Sequence, residues 1–254
     1  MPYEASDIYF PSPLDTLRNS FQRTLPYAAN AGDVILAYVE WDDSSSVNSP
    51  AVSSSNIAWS SELDDGTLPS ENQATRTFRG KVTTGFSANT EVVTVSGWTD
   101  DAFYVGIVTA RFSPSSGKVF ATEPVQQHSD FETAAPSTST DGVSASVTTT
   151  GGNSFVIVGF VACDTHFNYV DSGNADIHAG TGYTLDAGLW RQLNEVYAQP
   201  FLIEHKAQAS AGLVNVTFTA DTPYSVYVAA FALEEIPAGS PPQVSMYYRT
   251  LLST

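Results

Sequence analysis

Cys163-Asp164-x-His166, with His178 beyond it, is the one grouping in the chain whose residue types approach a metal site or an acid–base pair. A zinc site needs more thiolates or imidazoles at tighter spacing, and the chain has one cysteine and four histidines, the others being His128 and His205. The expectation is a structural cysteine with loop histidines, and no metal. The acidic pairs Asp42-Asp43, Asp64-Asp65 and Asp100-Asp101 lie beside strand-like runs, where oxygen-rich loops can take calcium. None has the alternating ligand spacing of a dedicated calcium loop, so solvated turn residues are the default and no cofactor is expected. Of Trp41, Trp59, Trp98 and Trp190, the pair Trp98 and Trp190 lies in the less regular segments. They are the candidates for an exposed binding platform or an interface anchor. No Gly-x-Ser-x-Gly elbow, phosphate loop or Gly-x-Gly-x-x-Gly occurs, and the abundance of carboxylates alone does not single out a glycosidase pair. An enzyme is not expected.

The elements that position these residues follow from composition. The 254 residues include 10 Lys+Arg against 27 Asp+Glu, a formal net charge of -17. Such a surface repels nucleic acid and anionic lipid headgroups. Charged residues are only 15% of the chain, so 30 Ser and 26 Thr must carry much of the polar surface. With one cysteine no internal disulfide can form. Met1-Pro2-Tyr3-Glu4 lacks the basic and apolar regions of a signal peptide, and no apolar run is long enough to insert in a bilayer. Synthesis in the cytoplasm is the expectation.

The periodic signal is that of strands. Val34 to Val39 and Phe155 to Val161 are apolar runs rich in β-branched and aromatic residues, whereas Glu91 to Val95 and Val214 to Phe218 alternate apolar with polar. Tyr104 to Phe112 and Tyr224 to Leu233 form a further pair, and turn signals such as Asp64-Asp65-Gly66 and Ser116-Gly117 fall between runs. The one helical candidate is Leu14 to Phe21, capped by Asp15.

These runs repeat. Gly32-Asp33 recurs as Gly152-Asn153, and Trp59 has its counterpart near Tyr183. Phe78, Val93-Thr94-Val95 and Tyr104 fall onto Phe201, Val216-Thr217-Phe218 and Tyr227. The spacing predicts two halves, residues 30–132 and 150–236, with about five strands each. Such apolar strands need a covering sheet, which favours one all-β, double-sheet jelly-roll-like β-sandwich over residues 30–236. Residues 1–29 and 237–254 combine prolines with aromatics and read as extended N- and C-terminal arms. Either they order on a neighbouring subunit or they lie along their own domain.

The order Gly-Asp, apolar strand, Asn56-x-x-Trp59, aromatic strand, Ser87-Ala88 turn, Val93-Thr94-Val95 and long strand resembles a β-sandwich module found in bacterial surface proteins and phage virion proteins. Gly180-Thr181-Gly182-Tyr183-Thr184-Leu185 resembles that module's turn and strand in the second half, and the likeness spans roughly residues 30 to 236. The resemblance implies display or attachment and supplies no catalytic residues. Without a signal peptide, the expectation is a non-enzymatic virion structural protein: a capsid decoration, turret or tail-associated subunit. It would be homo-oligomeric, its partners itself and other virion proteins, with Tyr247, Tyr248, Leu251 and Leu252 of the C-terminal arm as interface residues. The alternatives are a carbohydrate- or receptor-binding adhesin module recognising a host surface glycan and, third, a glycan-active enzyme.

Overall fold

The computed structural model describes residues 3–9, 19–42, 50–68, 73–98, 103–134, 144–149, 154–166, 177–192, 197–220 and 225–239. Among them there is no helix. In chain order the strands of the first half are β1 (Tyr3–Tyr9), β2 (Ser20–Thr24), β3 (Val34–Asp42), β4 (Ala51–Ser53), β5 (Ile57–Leu68), β6 (Gln73–Val82), β7 (Val92–Ser96) and β8 (Phe103–Phe112). Those of the second half are β9 (Lys118–Ala134), β10 (Ser144–Thr149), β11 (Ser154–His166), β12 (Ile177–Ala179), β13 (Thr184–Gln192), β14 (Tyr197–Gln208), β15 (Gly212–Ala220) and β16 (Ser225–Pro237).

The first half has a five-stranded sheet in the order β1-β8-β3-β6-β5 and a three-stranded sheet β2-β7-β4. Adding eight to each number gives the second half: β9-β16-β11-β14-β13 and β10-β15-β12. All described pairings are antiparallel, and pairing 1 with 8, 2 with 7 and 3 with 6 is the winding of a jelly roll. The expected all-β, jelly-roll-like sandwich architecture with an internal repeat is therefore present, but as four sheets, two in each half, and not as one pair of sheets over residues 30–236. Phe78 and Phe201 lie on the equivalent strands β6 and β14, and Val93-Val95 and Val216-Phe218 on β7 and β15.

Each half is itself a two-sheet sandwich, and the two five-stranded sheets stack back to back. The alternation of side chains across a strand makes this visible. On β3, Ile35, Ala37, Val39 and Trp41 face the first sandwich's interior with Val93 and Val95 of β7. The intervening Val34, Leu36 and Tyr38 face the second half, meeting Val156, Val158 and Phe160 of β11 and Phe231 of β16. On β11 the other parity, Phe155 and Ile157, packs with Val214 and Val216 inside the second sandwich. These strands read as unbroken apolar runs because both of their faces are buried. Each large side chain so enclosed contributes about 1.5–3 kcal/mol of transfer free energy before ordering costs.

The sequence-based expectations meet the structure unevenly at the edges. Residues 1–29, read as an arm, hold β1 and β2, which pair with β8 and β7 of their own half. Phe21, the end of the helical candidate, lies in β2 with its side chain in the core; residues 10–18 are outside the described set. Asp64-Asp65-Gly66 is a bulge inside β5 opposite β6 and not a turn between strands, so the same turn chemistry serves to kink one strand. The C-terminal arm from residue 240 lies outside the described residues.

Candidate functional site

Polar side chains buried in an apolar sandwich must be bonded or they destabilise it, so they mark where a site would be. In the first half, Glu91 precedes β7 and accepts the Asn56 backbone N–H at 2.8 Å and its Nδ2 at 2.6 Å. Asn56 precedes β5, so this carboxylate ties the two sheets together at one end. Asp33, at the start of β3, accepts the Asn30 N–H and the Ser113 hydroxyl, and Arg111 lies 3.8 Å away. Arg23 of β2 makes a two-pronged ion pair with Asp7 of β1 at 2.7 and 2.8 Å, again across the two sheets, and its guanidinium covers Tyr9. The Asp7 carboxylate raises the Arg23 pKa against the opposing effect of burial.

Where the halves join, Glu235 of β16 accepts the Ser115 N–H at 2.6 Å and the Ser154 hydroxyl at 3.1 Å. Lys118 donates to Ser154 Oγ and sits 3.5 Å from Glu235. Burial pushes the Glu235 carboxyl up, but the bonds from Ser115 and Ser154 and the Lys118 charge outweigh it and leave it below the usual range. A Ser–Lys pair can be nucleophilic when the lysine is neutral. Here the lysine has a carboxylate partner, so the cluster binds the 113–117 turn to the second half.

The densest group is on β14. Glu204 and His205 are neighbours and point to opposite faces. Glu204, 0% exposed, enters the second sandwich, where Gly180, just after β12, donates its N–H to Oε2 at 2.8 Å. Its other oxygen, Oε1, has no hydrogen-bond partner among the described residues. Burial pushes this carboxyl up to about 8. Lys206, two residues on, lies over the Tyr183 ring at 4.4 Å. Burial lowers the Lys206 pKa and raises that of Tyr183, whose hydroxyl donates to Asn215 O.

His205 faces the first half instead. Its Nδ1 is 2.6 Å from Asp186 Oδ1, and its ring meets Phe112 edge-on. Asp186 is the extra residue of a bulge between Leu185 and Ala187, which turns its carboxylate inward; burial raises its pKa. A His–Asp pair is the core of many general-base systems. In this one His205 is 2% exposed and packed between the halves, so the pair fixes the interface.

The residues expected to bind are not brought together. Trp98, a candidate for an exposed platform, is 4% exposed: it stacks on Phe21 at 6.0 Å and meets Trp41 edge-on, because the aromatic core of the first sandwich extends past the end of β7. Trp190 is on β13 opposite Pro200, and its side chain is outside the described set. Tyr247, Tyr248, Leu251 and Leu252 lie outside the described residues. Cys163 and His166 are on β11, His128 on β9 and His178 on β12, with side chains likewise not described. Of the acidic pairs, Asp42 ends β3 and Asp64-Asp65 form the β5 bulge, while Asp43, Asp100 and Asp101 lie outside the described residues. Among the described residues no three His, Cys, Asp or Glu side chains group so as to hold a metal ion.

The Glu204–His205–Asp186 group was not singled out from the sequence. Its signal was the polar triplet Glu204-His205-Lys206 directly after the apolar run Phe201-Leu202-Ile203, a sequence that fits neither a one-sided nor a fully buried strand. No protein-family model matches the chain, and no curated protein or solved structure matches it.

Proposed function

We propose that the chain is a non-enzymatic structural subunit of a virion, a capsid decoration, turret or tail-associated protein that assembles with copies of itself and with other virion proteins. The observation that carries this reading is the contrast between the interior and the outward sheet faces. The buried ionisable groups tie sheet to sheet and half to half. The outward faces of the three-stranded sheets, in a chain of net charge -17, carry no charged side chain among the described residues.

On the first half the cross-strand rows on that face are Ser20–Ser96–Ala51, Gln22–Thr94–Ser53 and Thr24–Val92. On the second half they are Ser146–Asn215 and Thr148–Leu213. Val92 on the first face and Leu213 on the second are large apolar side chains exposed by 40% and 67%. An acidic protein meets its own copies at least electrostatic cost through such uncharged faces. With three strands of about five residues, each face measures roughly 250 Å², well under the ~800 Å² per partner of a stable pair. The faces therefore contribute to repeated or multipoint contacts.

The test is the double substitution Val92→Asp and Leu213→Asp. Both positions are exposed, so the thermal midpoint should stay within about 2 °C of the parent. Sedimentation should then show weakened self-association. Unchanged association by the double variant would remove these faces from the assembly.

A further inference from the structure

Both halves use a buried glutamate to join their two sheets, and the two differ in one respect. Glu91 has both carboxylate oxygens bonded, each to a nitrogen of Asn56. Glu204 has one bond, from the Gly180 N–H, and Oε1 is buried without a partner among the described residues. The space around it is closed. A Cβ on Gly159 of β11 would lie 2.4 Å from Val216 and 3.1 Å from the Glu204 side chain, and a Cβ on Gly180 would lie 1.8 Å from the Thr217 carbonyl oxygen. The carboxyl thus lies between Gly159 of β11 and the Gly180 backbone, and those two glycines are themselves pressed against Val216 and Thr217 of β15.

We propose that Glu204 is carried as an un-ionised carboxyl in the seam between the two sheets of the second half, and that its ionisation loosens this seam while leaving the first half closed. A carboxylate with an unbonded oxygen in an apolar enclosure is strongly disfavoured, whereas the neutral acid is tolerated. Few charges offset this. Lys206 lies on the same strand and favours the ionised form, Asp186 from β13 opposes it, and Tyr183 is neutral. The residues around it, Gly159 and Gly180 with Val216 and Thr217 packed against them, carry no charge. His205 is on the other face of β14.

The direction of the pH dependence follows. The folded carboxyl titrates near 8 and the unfolded one near 4.5, so between these values the folded state holds the proton that the unfolded state has lost. The stability of the second half is greatest below about pH 4.5 from this group and falls as pH rises toward 8. In the first half both Glu91 carboxylate oxygens accept from Asn56.

The experiment is amide hydrogen exchange on the full chain at about pH 6 and about pH 9, corrected for intrinsic exchange rates. Opening that releases the proton is favoured about tenfold per pH unit between pH 6 and a folded-state value near 8, about a hundredfold in all. The Gly180 amide should lose roughly that factor of protection in the parent at the higher pH and none in Glu204→Gln, which keeps an acceptor for Gly180 but does not ionise. The Asn56 amide should not change in either protein. Equal loss at Gly180 in parent and variant, or no loss in the parent, would overturn the proposal. Should the variant fail to fold, the infrared carbonyl stretch of an un-ionised carboxyl decides: present in the parent at about pH 6 and lost by about pH 9, or absent at both, which refutes it.

Discussion

Truncating Phe160 to alanine tests whether the two sandwiches form one cooperative unit. Phe160 lies on β11 in the second half, 2% exposed, with its ring stacked 5.8 Å from Tyr38 of the first half and 5.9 Å edge-on from Phe231 of its own half. Removing a fully buried Phe costs about 3–5 kcal/mol, from lost transfer free energy and the cavity left in a layer that is closed on both sides. Of this, roughly 0.5–1.5 kcal/mol is the aromatic contact to Tyr38, which only the docked halves possess. The tryptophans allow the halves to be read separately. Trp41, Trp59 and Trp98 are in the first half, and Trp190→Phe removes the one in the second. In that background, fluorescence reports the first half while the substitution sits in the second. Denaturant unfolding followed by fluorescence and by far-ultraviolet circular dichroism should give coincident midpoints, and both should shift together in Phe160→Ala. A fluorescence midpoint that stays fixed while the dichroism curve splits in two would refute the cooperative layer.

Two further outcomes are expected. Deleting residues 240–254 should weaken assembly and leave the thermal midpoint of the monomeric sandwich within about 2 °C of the parent, whereas a lowered midpoint with assembly intact would make the tail an intramolecular strap. Gly180→Ala places a Cβ 1.8 Å from the Thr217 carbonyl oxygen, a backbone atom that cannot step aside, so calorimetry should show a loss of about 2 kcal/mol or more.

The repeat was legible in the sequence because its strands carry landmarks on both halves, such as Phe78 with Phe201 and Val93-Thr94-Val95 with Val216-Thr217-Phe218. The doubled burial of β3 and β11 was also written in their unbroken apolar runs. The first strands of the first half were harder to see. β1 and β2 lie among prolines and mix polar with aromatic residues, because β1 is a sheet edge and β2 has one exposed face. Asp64-Asp65-Gly66 misled for a physical reason: the backbone freedom that makes a turn also makes a bulge. Trp98 followed a glycine and so read as a loop residue, yet the decisive fact was the Phe21–Trp98–Trp41 stack, whose members are remote in sequence. The buried Glu204 and the His205–Asp186 pair depend on a strand bulge and on contacts between halves, neither of which leaves a local motif.

The central claim, that this chain is an assembling structural subunit, is tested most directly by the mass of the native protein. Multi-angle light scattering across a concentration series should give a mass that rises to a multiple of the 27.1 kDa chain and falls when residues 240–254 are removed. A mass of 27.1 kDa at every concentration, with and without the tail, would contradict it.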